Sequence, residues 1–429
     1  MQRVFIRNFG CRATQADGAA IESLLGDRAL SVSSVGDADL VILNTCTVTT
    51  EADADVRKSI NRVRRENPQA QILVTGCYAQ RAPEELSRLP GVTWVVGNSH
   101  KTKIPEILDG HYHGQIHVAD ILQTSEFLSS PVSDAFGSRT RPNLKVQDGC
   151  SNVCSFCIIP SVRGPSRSMP AGRVLDEIRS LAANYREIVL TGINLGRWGR
   201  EPGLPPASRI RLAGLLRLIL DETPVGRLRL SSIEPMDLSD DLLDLMASDP
   251  RIARHVHAPL QSGSDSVLKR MKRRYRTRHY EDRIRRAHTL MPDAAYGADV
   301  MTGFPGETEA EFQQTVDFIE RMPFTYLHVF TYSERPGTPA AAMAQVRLED
   351  RKRRTHILRQ LAESKNLTYR QGQIGQTLSA VTMENGLALT GNYLQVRLAR
   401  PRPANEFADL EIGGLDPAGL TEKSGFAIL

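Results

Sequence analysis

The chain has 429 residues, 41% hydrophobic and 24% charged, with a formal net charge of +5. This balance predicts a soluble protein of two or three domains and excludes a disordered chain or a disulfide-stapled mini-domain. No stretch approaches ~20 apolar residues, so no membrane-spanning helix is expected.

The mild basic excess suits a nucleic-acid partner without demanding one. The first residues, broken by Arg3 and Arg7, do not read as a secretory leader, so a reducing cytoplasm is the expected compartment. There, cysteines serve as metal ligands or reactive groups. The six are Cys11, Cys46, Cys77, Cys150, Cys154 and Cys157.

Residues 1–110 alternate short apolar runs, Val4–Ile6, Leu40–Leu43, Ile72–Val74 and Trp94–Val96, with amphipathic stretches such as Ala54–Arg65. This rhythm predicts an α/β unit with an open parallel sheet. Cys11, Cys46 and Cys77 each fall just past a predicted strand, on the edge where such sheets bind ligands. They read as a three-thiolate cluster site lacking a fourth ligand; inert turn thiols are the alternative. Residues 111–142 lose periodicity and gather Ser, Pro and Gly, as a linker or strap does.

From Asn143 the rhythm restarts, with strands expected at Leu144–Val146, Ile188–Leu190, Leu228–Leu230, His255–His257, Ala298–Val300 and Leu327–Phe330. About six strand–helix units over 143–370, closed by a charged helix over 347–370, predict a full or partial parallel barrel. The loop after its first strand reads Cys150-Ser-Asn-Val-Cys154-Ser-Phe-Cys157. Three thiols without a near fourth ligand suit a cubane iron–sulfur cluster with one open iron; a zinc knuckle with a distant fourth ligand is the alternative. Barrel active sites sit at the carboxyl ends of strands, which is where this loop lies.

Further on, Lys269, Arg270, Lys272, Arg273 and Arg274 form a basic run suited to RNA phosphates, or a solvated helix face. His257 and His328 have no sequence neighbour at metal-ligand spacing and read as core or rim histidines. The glycine tracts match neither a dinucleotide fingerprint nor a P-loop, which excludes a dehydrogenase or NTPase of those kinds. Residues 372–429 carry short strands at 377–381, 386–390 and 393–398, which predict a small antiparallel β-barrel.

At the Cys150 triplet, with Phe156 before its last cysteine, the chain resembles the radical S-adenosylmethionine superfamily. Joined to the Cys11, Cys46 and Cys77 unit and the barrel tail, it resembles the methylthiotransferases. Matching segments are Asn44-Thr-Cys46, Gly76-Cys77, Leu190-Thr-Gly-Ile-Asn194, Ser231-Ser-Ile-Glu-Pro235, Pro259–Asp265 and Gly303–Thr308. Thr47-Val-Thr49 and Glu51-Ala-Asp53 look like the branch that acts on threonylcarbamoyladenosine in tRNA. The start Gly10-Cys-Arg-Ala-Thr14 departs from that branch's commoner Gly-Cys-Lys-Val-Asn.

The resemblance implies a reaction, replacement of an aromatic C–H by C–S–CH3, that acid–base groups alone do not perform. It implies two [4Fe–4S] clusters, on Cys11, Cys46 and Cys77 and on Cys150, Cys154 and Cys157. Two S-adenosylmethionine molecules are implied, one cleaved to a 5′-deoxyadenosyl radical and one methylating the transferred sulfur. Phe156, Gly192, Asn194, Ser232, Glu234, Gln261 and Ser262 are the expected cofactor contacts. The tail is similar to a TRAM domain, with Tyr393, Arg397, Arg400 and Arg402 for RNA. The implied partners are a tRNA anticodon stem-loop, an electron donor and a sulfur source. Isopentenyladenosine or a ribosomal-protein aspartate are alternative substrates. An RNA-binding protein with structural metal is an alternative of another class.

Overall fold

The computed structural model describes residues 2–26, 29–124, 127–128, 140–201 and 210–424. Among them, no helix is long and apolar enough to cross a membrane.

The amino-terminal sheet has six parallel strands: β1 (Gln2–Asn8), β2 (Ala29–Ser31), β3 (Leu40–Thr45), β4 (Gln71–Gly76), β5 (Val92–Val96) and β6 (Ile116–His117). Their order is β2-β1-β3-β4-β5-β6. β3 is buried throughout because helices cover both faces, hence its unbroken Leu-Val-Ile-Leu run. On one face Val56, Ile60 and Val63 of helix Thr50–Glu66 pack on Val41, Leu43 and Val74. On the other, Ala20, Ile21 and Leu25 of helix Arg12–Leu25 pack on Val4, Leu40 and Ile42. The chain reverses its direction of travel across the sheet between β1 and β3, the switch point where doubly wound sheets bind ligands.

β6 lies in the stretch expected to be linker, so the sheet runs past the expected boundary at residue 110 to His117. Beyond it, Leu128 joins the core of the amino-terminal sheet, while Phe127 lies against the next unit with the Lys145 ammonium 5.2 Å from its ring. Residues 125–126 and 129–139 of the expected linker lie outside the described residues.

All six expected barrel strands are present: β7 (Asn143–Asp148), β9 (Glu187–Gly192), β10 (Arg227–Leu230), β11 (His255–His257), β12 (Ala295–Thr302) and β13 (Tyr326–Thr331). β8 (Arg167–Ser168) adds a short antiparallel edge to β7. They form two sheets, β10-β9-β7-β8 and β11-β12-β13. The sheets meet through a parallel bridge between Leu228 and Ile252, and Ile233 N donates to His257 O at 2.9 Å. The result is a partial barrel with helices outside, closed by helix Leu348–Gln371.

Its interior is polar. Arg229 is fully buried and donates twice to Glu187, while His255, His257, Asp299 and Tyr326 meet on the facing strands. Gly297 makes room for this wall, since a Cβ there would stand 2.0 Å from the Tyr326 ring. Gly297→Ala is therefore expected to cost about 1–3 kcal/mol in a thermal or denaturant unfolding measurement. An unchanged midpoint would show that the ring yields freely.

The tail is a closed barrel of β14 (Thr377–Met383), β15 (Leu387–Thr390), β16 (Gln395–Arg397), β17 (Phe407–Asp416) and β18 (Gly419–Glu422). It is not wholly antiparallel, because β16 and β18 run parallel. It caps the amino-terminal end of the larger barrel, where Arg229 donates to Thr390 O at 2.9 Å and Gly391 O at 3.1 Å. Arg227 adds a bond to Ser379 Oγ at 2.9 Å.

Candidate active site

The amino-terminal triplet is assembled by strand ends. Cys11 precedes the helix after β1, Cys46 follows β3 directly, and Cys77 follows β4 directly. Gly10 has φ +96°, and a Cβ on it would lie 2.6 Å from Cys46 Cβ and 3.0 Å from its Sγ. Only glycine lets the loops of Cys11 and Cys46 approach this closely. Val48 N donates to Cys46 Sγ at 3.5 Å, and Asn98 Nδ2 donates to Cys77 Sγ at 3.6 Å. Burial, reinforced by neighbouring Cys77, pushes the Cys46 thiol up to about 12. Such a sulfur becomes a thiolate only where a metal compensates its charge.

The second triplet lies in the loop after β7. Cys150 Sγ accepts from Asn152 N at 3.4 Å and from Asn194 Nδ2 at 3.7 Å. Cys154 Sγ accepts from Arg273 Nη1 at 3.4 Å. Burial pushes Cys157 up to about 12, with Cys154 and Cys150 adding to it. Among the described residues, no three cysteine sulfurs lie within 4.8 Å of one another. A single zinc with bonds of about 2.3 Å holds its sulfurs only about 3.8 Å apart.

The two sites adjoin. Cys77 packs with Ile158 and Val162, which follow Cys157, and Asn98 Nδ2 also donates to Val162 O at 2.7 Å. Beside this contact lies a buried ionic cluster. Asp17 accepts from Lys101 at 2.7 Å, from Arg163 at 2.9 Å and from Lys145. Asp148 accepts from Lys145 at 2.7 Å and Arg163 at 2.9 Å. Asp17 and Lys101 belong to the amino-terminal unit, and the others to the barrel. Three cations against two carboxylates leave a positive charge next to the amino-terminal thiols, as anionic sulfur ligands require.

The other expected site residues divide. Phe156 is half-buried, edge-on to Phe304 with ring centroids 6.4 Å apart. Asn194 is at the Cys150 sulfur, and its Oδ1 is buried without a partner. Gln261 holds φ +65° and its Oε1 is likewise unpartnered. Gly192 lies against Gln147, whose Cβ would be 2.9 Å from an added Cβ. Ser232 is exposed. Glu234 pairs with Arg273. Ser262 does not reach the rim: in the turn before helix Asp265–Arg270 it is fully buried and bonds Thr315 Oγ1 of helix Glu309–Arg321 at 3.2 Å.

Arg273 also departs from expectation. It is not on the basic surface but buried between Cys154, Glu234 and Tyr275. Lys269, Lys272 and Arg274 are exposed, whereas Arg270 is engaged with Glu311 at 2.7 Å. In the tail, Arg400 is exposed, Arg397 is exposed but paired with Asp416 at 2.8 Å, and Arg402 pairs with Glu422. Tyr393 is half-buried and stacked on His255 with centroids 4.3 Å apart.

His257 and His328 do have partners, contrary to the reading from sequence spacing. His257 Nε2 and His328 Nδ1 each lie 3.2 Å from one carboxylate oxygen of Asp299. The link is across strands, with Asp299 directly opposite His328 in the β12–β13 ladder. Tyr326 Oη bonds His255 Nε2 at 2.7 Å and His257 Nδ1 at 2.8 Å, completing a chain of five polar side chains.

The donors fit iron–sulfur clusters and an amino-acid-bearing cofactor: two open thiol triplets, and two orphaned acceptors, on Asn194 and Gln261, for an ammonium group. Comparison with known proteins agrees. Residues 3–97 match the uncharacterized protein family UPF0004, and residues 144–319 match the radical SAM superfamily. The threonylcarbamoyladenosine tRNA methylthiotransferase MtaB of Aquifex aeolicus is 35% identical, over 92% of this chain and 96% of its own. The corresponding protein of Bacillus subtilis is 37% identical, over 92% and 90%. A tRNA-2-methylthio-N(6)-dimethylallyladenosine synthase of Frankia casuarinae is 34% identical, over 96% and 79%. Among solved structures, the radical S-adenosylmethionine methyltransferase TsrM of Kitasatospora setae shares the fold with TM-score 0.59 at 16% identity, covering 79% of this chain and 77% of that one. Motifs, fold and relatives converge, and the chain belongs to the radical S-adenosylmethionine methylthiotransferase family, an enzyme family that uses S-adenosylmethionine and a [4Fe–4S] cluster.

Proposed function

We propose that this enzyme methylthiolates C2 of N6-threonylcarbamoyladenosine beside the anticodon of tRNA. Cys150, Cys154 and Cys157 hold the cluster at which S-adenosylmethionine binds. Cys11, Cys46 and Cys77 hold a second cluster, from which sulfur is transferred. When bound, these groups supply the one-electron chemistry and the sulfur that side chains lack.

The protein's part is placement. Asn194 and Gln261 offer acceptors to the ammonium of S-adenosylmethionine. Arg273, tied to Glu234, fixes the Cys154 thiolate and keeps its loop in register. Asn98 and the Asp17 cluster hold the two cysteine sites against each other. Exposed Lys269, Lys272 and Arg274 suit backbone phosphates.

Membership of the family removes the non-catalytic reading. Identity does not choose the nucleoside, since relatives named for threonylcarbamoyladenosine and for dimethylallyladenosine are equally similar at 34–37%. The polar barrel interior carries the choice. An isopentenyl group entering beside His257, Asp299 and His328 leaves desolvated polar atoms unpaired, whereas a threonylcarbamoyl group brings hydroxyl, amide and carboxylate partners. Mass analysis of tRNA nucleosides from cells lacking the protein tests this. The methylthio form is expected to vanish while the threonylcarbamoyl precursor remains. Loss from the isopentenyl nucleoside instead would move the assignment to that substrate.

A further inference from the structure

At the edge of the barrel interior stands a half-buried cation without a carboxylate partner. Arg12 follows Cys11 directly and opens helix Arg12–Leu25. Its side chain crosses toward the barrel floor, where Nη2 donates to Tyr393 Oη at 3.0 Å and the guanidinium lies 5.8 Å from the Tyr393 ring centre. Neighbouring cations each lie against a carboxylate: Arg229, Arg227 and Arg141 share Glu187, and Lys145 bonds Asp17 and Asp148. Among the described residues, Arg12 has no carboxylate partner.

Its support is rigid. Tyr393 holds φ +65°, stacks on His255 and carries the Arg229 guanidinium 5.3 Å from its ring centre. Tyr393 Oη engages a single arm of the Arg12 fork. The remaining N–H donors are free in a fixed plane, which is the arrangement that receives a carboxylate through two parallel bonds. The position therefore offers charge, planarity and a preset orientation at the boundary between the Cys11 loop and the polar interior.

We infer that Arg12, held by Tyr393, binds the carboxylate of the substrate's N6 substituent. The inference rests on the threonylcarbamoyl reading and assigns the acidic end of that group to a residue next to a cluster ligand. An aliphatic substituent leaves Arg12 desolvated and unpaired, so this residue discriminates against it.

The test is binding of synthetic anticodon stem-loops to reconstituted holoenzyme, read by fluorescence anisotropy. One stem-loop carries threonylcarbamoyladenosine as the free acid, and a second its methyl ester, which keeps the shape and removes the charge. A third carries isopentenyladenosine. The native enzyme is expected to prefer the acid to the ester by roughly 10- to 100-fold, the range of a charge-assisted hydrogen-bonded contact. Arg12→Ala is expected to bring that ratio near unity, and Arg12→Lys to restore part of it. Tyr393→Phe, which leaves the residues around the cysteines in place, is expected to reduce the ratio to a lesser degree. Iron content of each variant establishes that its clusters are present, and if Arg12→Ala loses iron, Tyr393→Phe and Arg12→Lys decide. A ratio unchanged in the variants overturns the role of Arg12 while leaving the substrate reading intact. A native enzyme that prefers the isopentenyl stem-loop overturns the substrate reading itself, and the inference with it.

Discussion

Replacing Cys154 with alanine is expected to give a protein that retains about four irons in place of about eight and releases no 5′-deoxyadenosine from S-adenosylmethionine. The sulfur is one of only three near its site, so no spare ligand replaces it. Removal also strands Arg273, which is buried and now donates to that sulfur and to Glu234. The amino-terminal triplet should be unaffected in its ligands. Cys46→Ala is the complement: the same loss of about four irons, but with 5′-deoxyadenosine still formed and no methylthio product. Iron analysis with product chromatography separates the two. Release of 5′-deoxyadenosine by Cys154→Ala would mean that the roles of the triplets are misassigned, and zinc in place of iron would remove both.

The second large effect is on stability. Asp17→Asn is expected to destabilise the protein by about 3–5 kcal/mol, because a buried centre loses one partner and keeps the others. Lys101, Lys145 and Arg163 are each no more than 3% exposed, so the freed charges have no solvent to turn to. Burial alone would raise the carboxyl of Asp17, yet Lys101, Lys145 and Arg163 outweigh it and hold the group well below the ordinary carboxylate range. A depressed folded value means that this contribution is complete above the unfolded value near 3.8 and is lost as pH falls through the folded one. The difference between native protein and Asp17→Asn should then be flat across neutral pH and shrink only in strong acid. Denaturant unfolding at several pH values measures it, and equal midpoints at pH 7 would show that the cluster contributes nothing net. Pairing Asp17→Asn with Lys101→Met should recover part of the loss.

Much of this was legible in the order of residues, for reasons that differ by element. β3 and β4 announce themselves as apolar runs because helices cover them on both faces. The cysteines were placed correctly because strand ends are set by those runs. β2 and β6, of three and two residues, are too short to carry a period. Arg273 could not be told from Lys272 and Arg274, since a tight turn at Lys272 with φ +56° sends alternate residues inward and outward. His257, Asp299 and His328 are brought together by parallel strand register, a relation that no spacing along the chain displays. The ladder's pairing of Asp299 with His328 is the physical content that sequence spacing lacked.

The Asp17 cluster also bears on how the protein is made. Its carboxylate is translated 84 residues before Lys101, 128 before Lys145 and 146 before Arg163. At common translation speeds the interval to Arg163 is roughly 7–30 s. During it the amino-terminal sheet has its three cysteines and, once residue 101 is made, Lys101 against Asp17, but not yet Lys145 and Arg163. That half of the molecule emerges with Asp17 compensated by Lys101 alone on the surface its barrel will cover. Completion of the first barrel turn, which also delivers Cys150, Cys154 and Cys157, is what lets that surface close. The segment that completes the cation cluster is thus the same one that carries the second set of thiols.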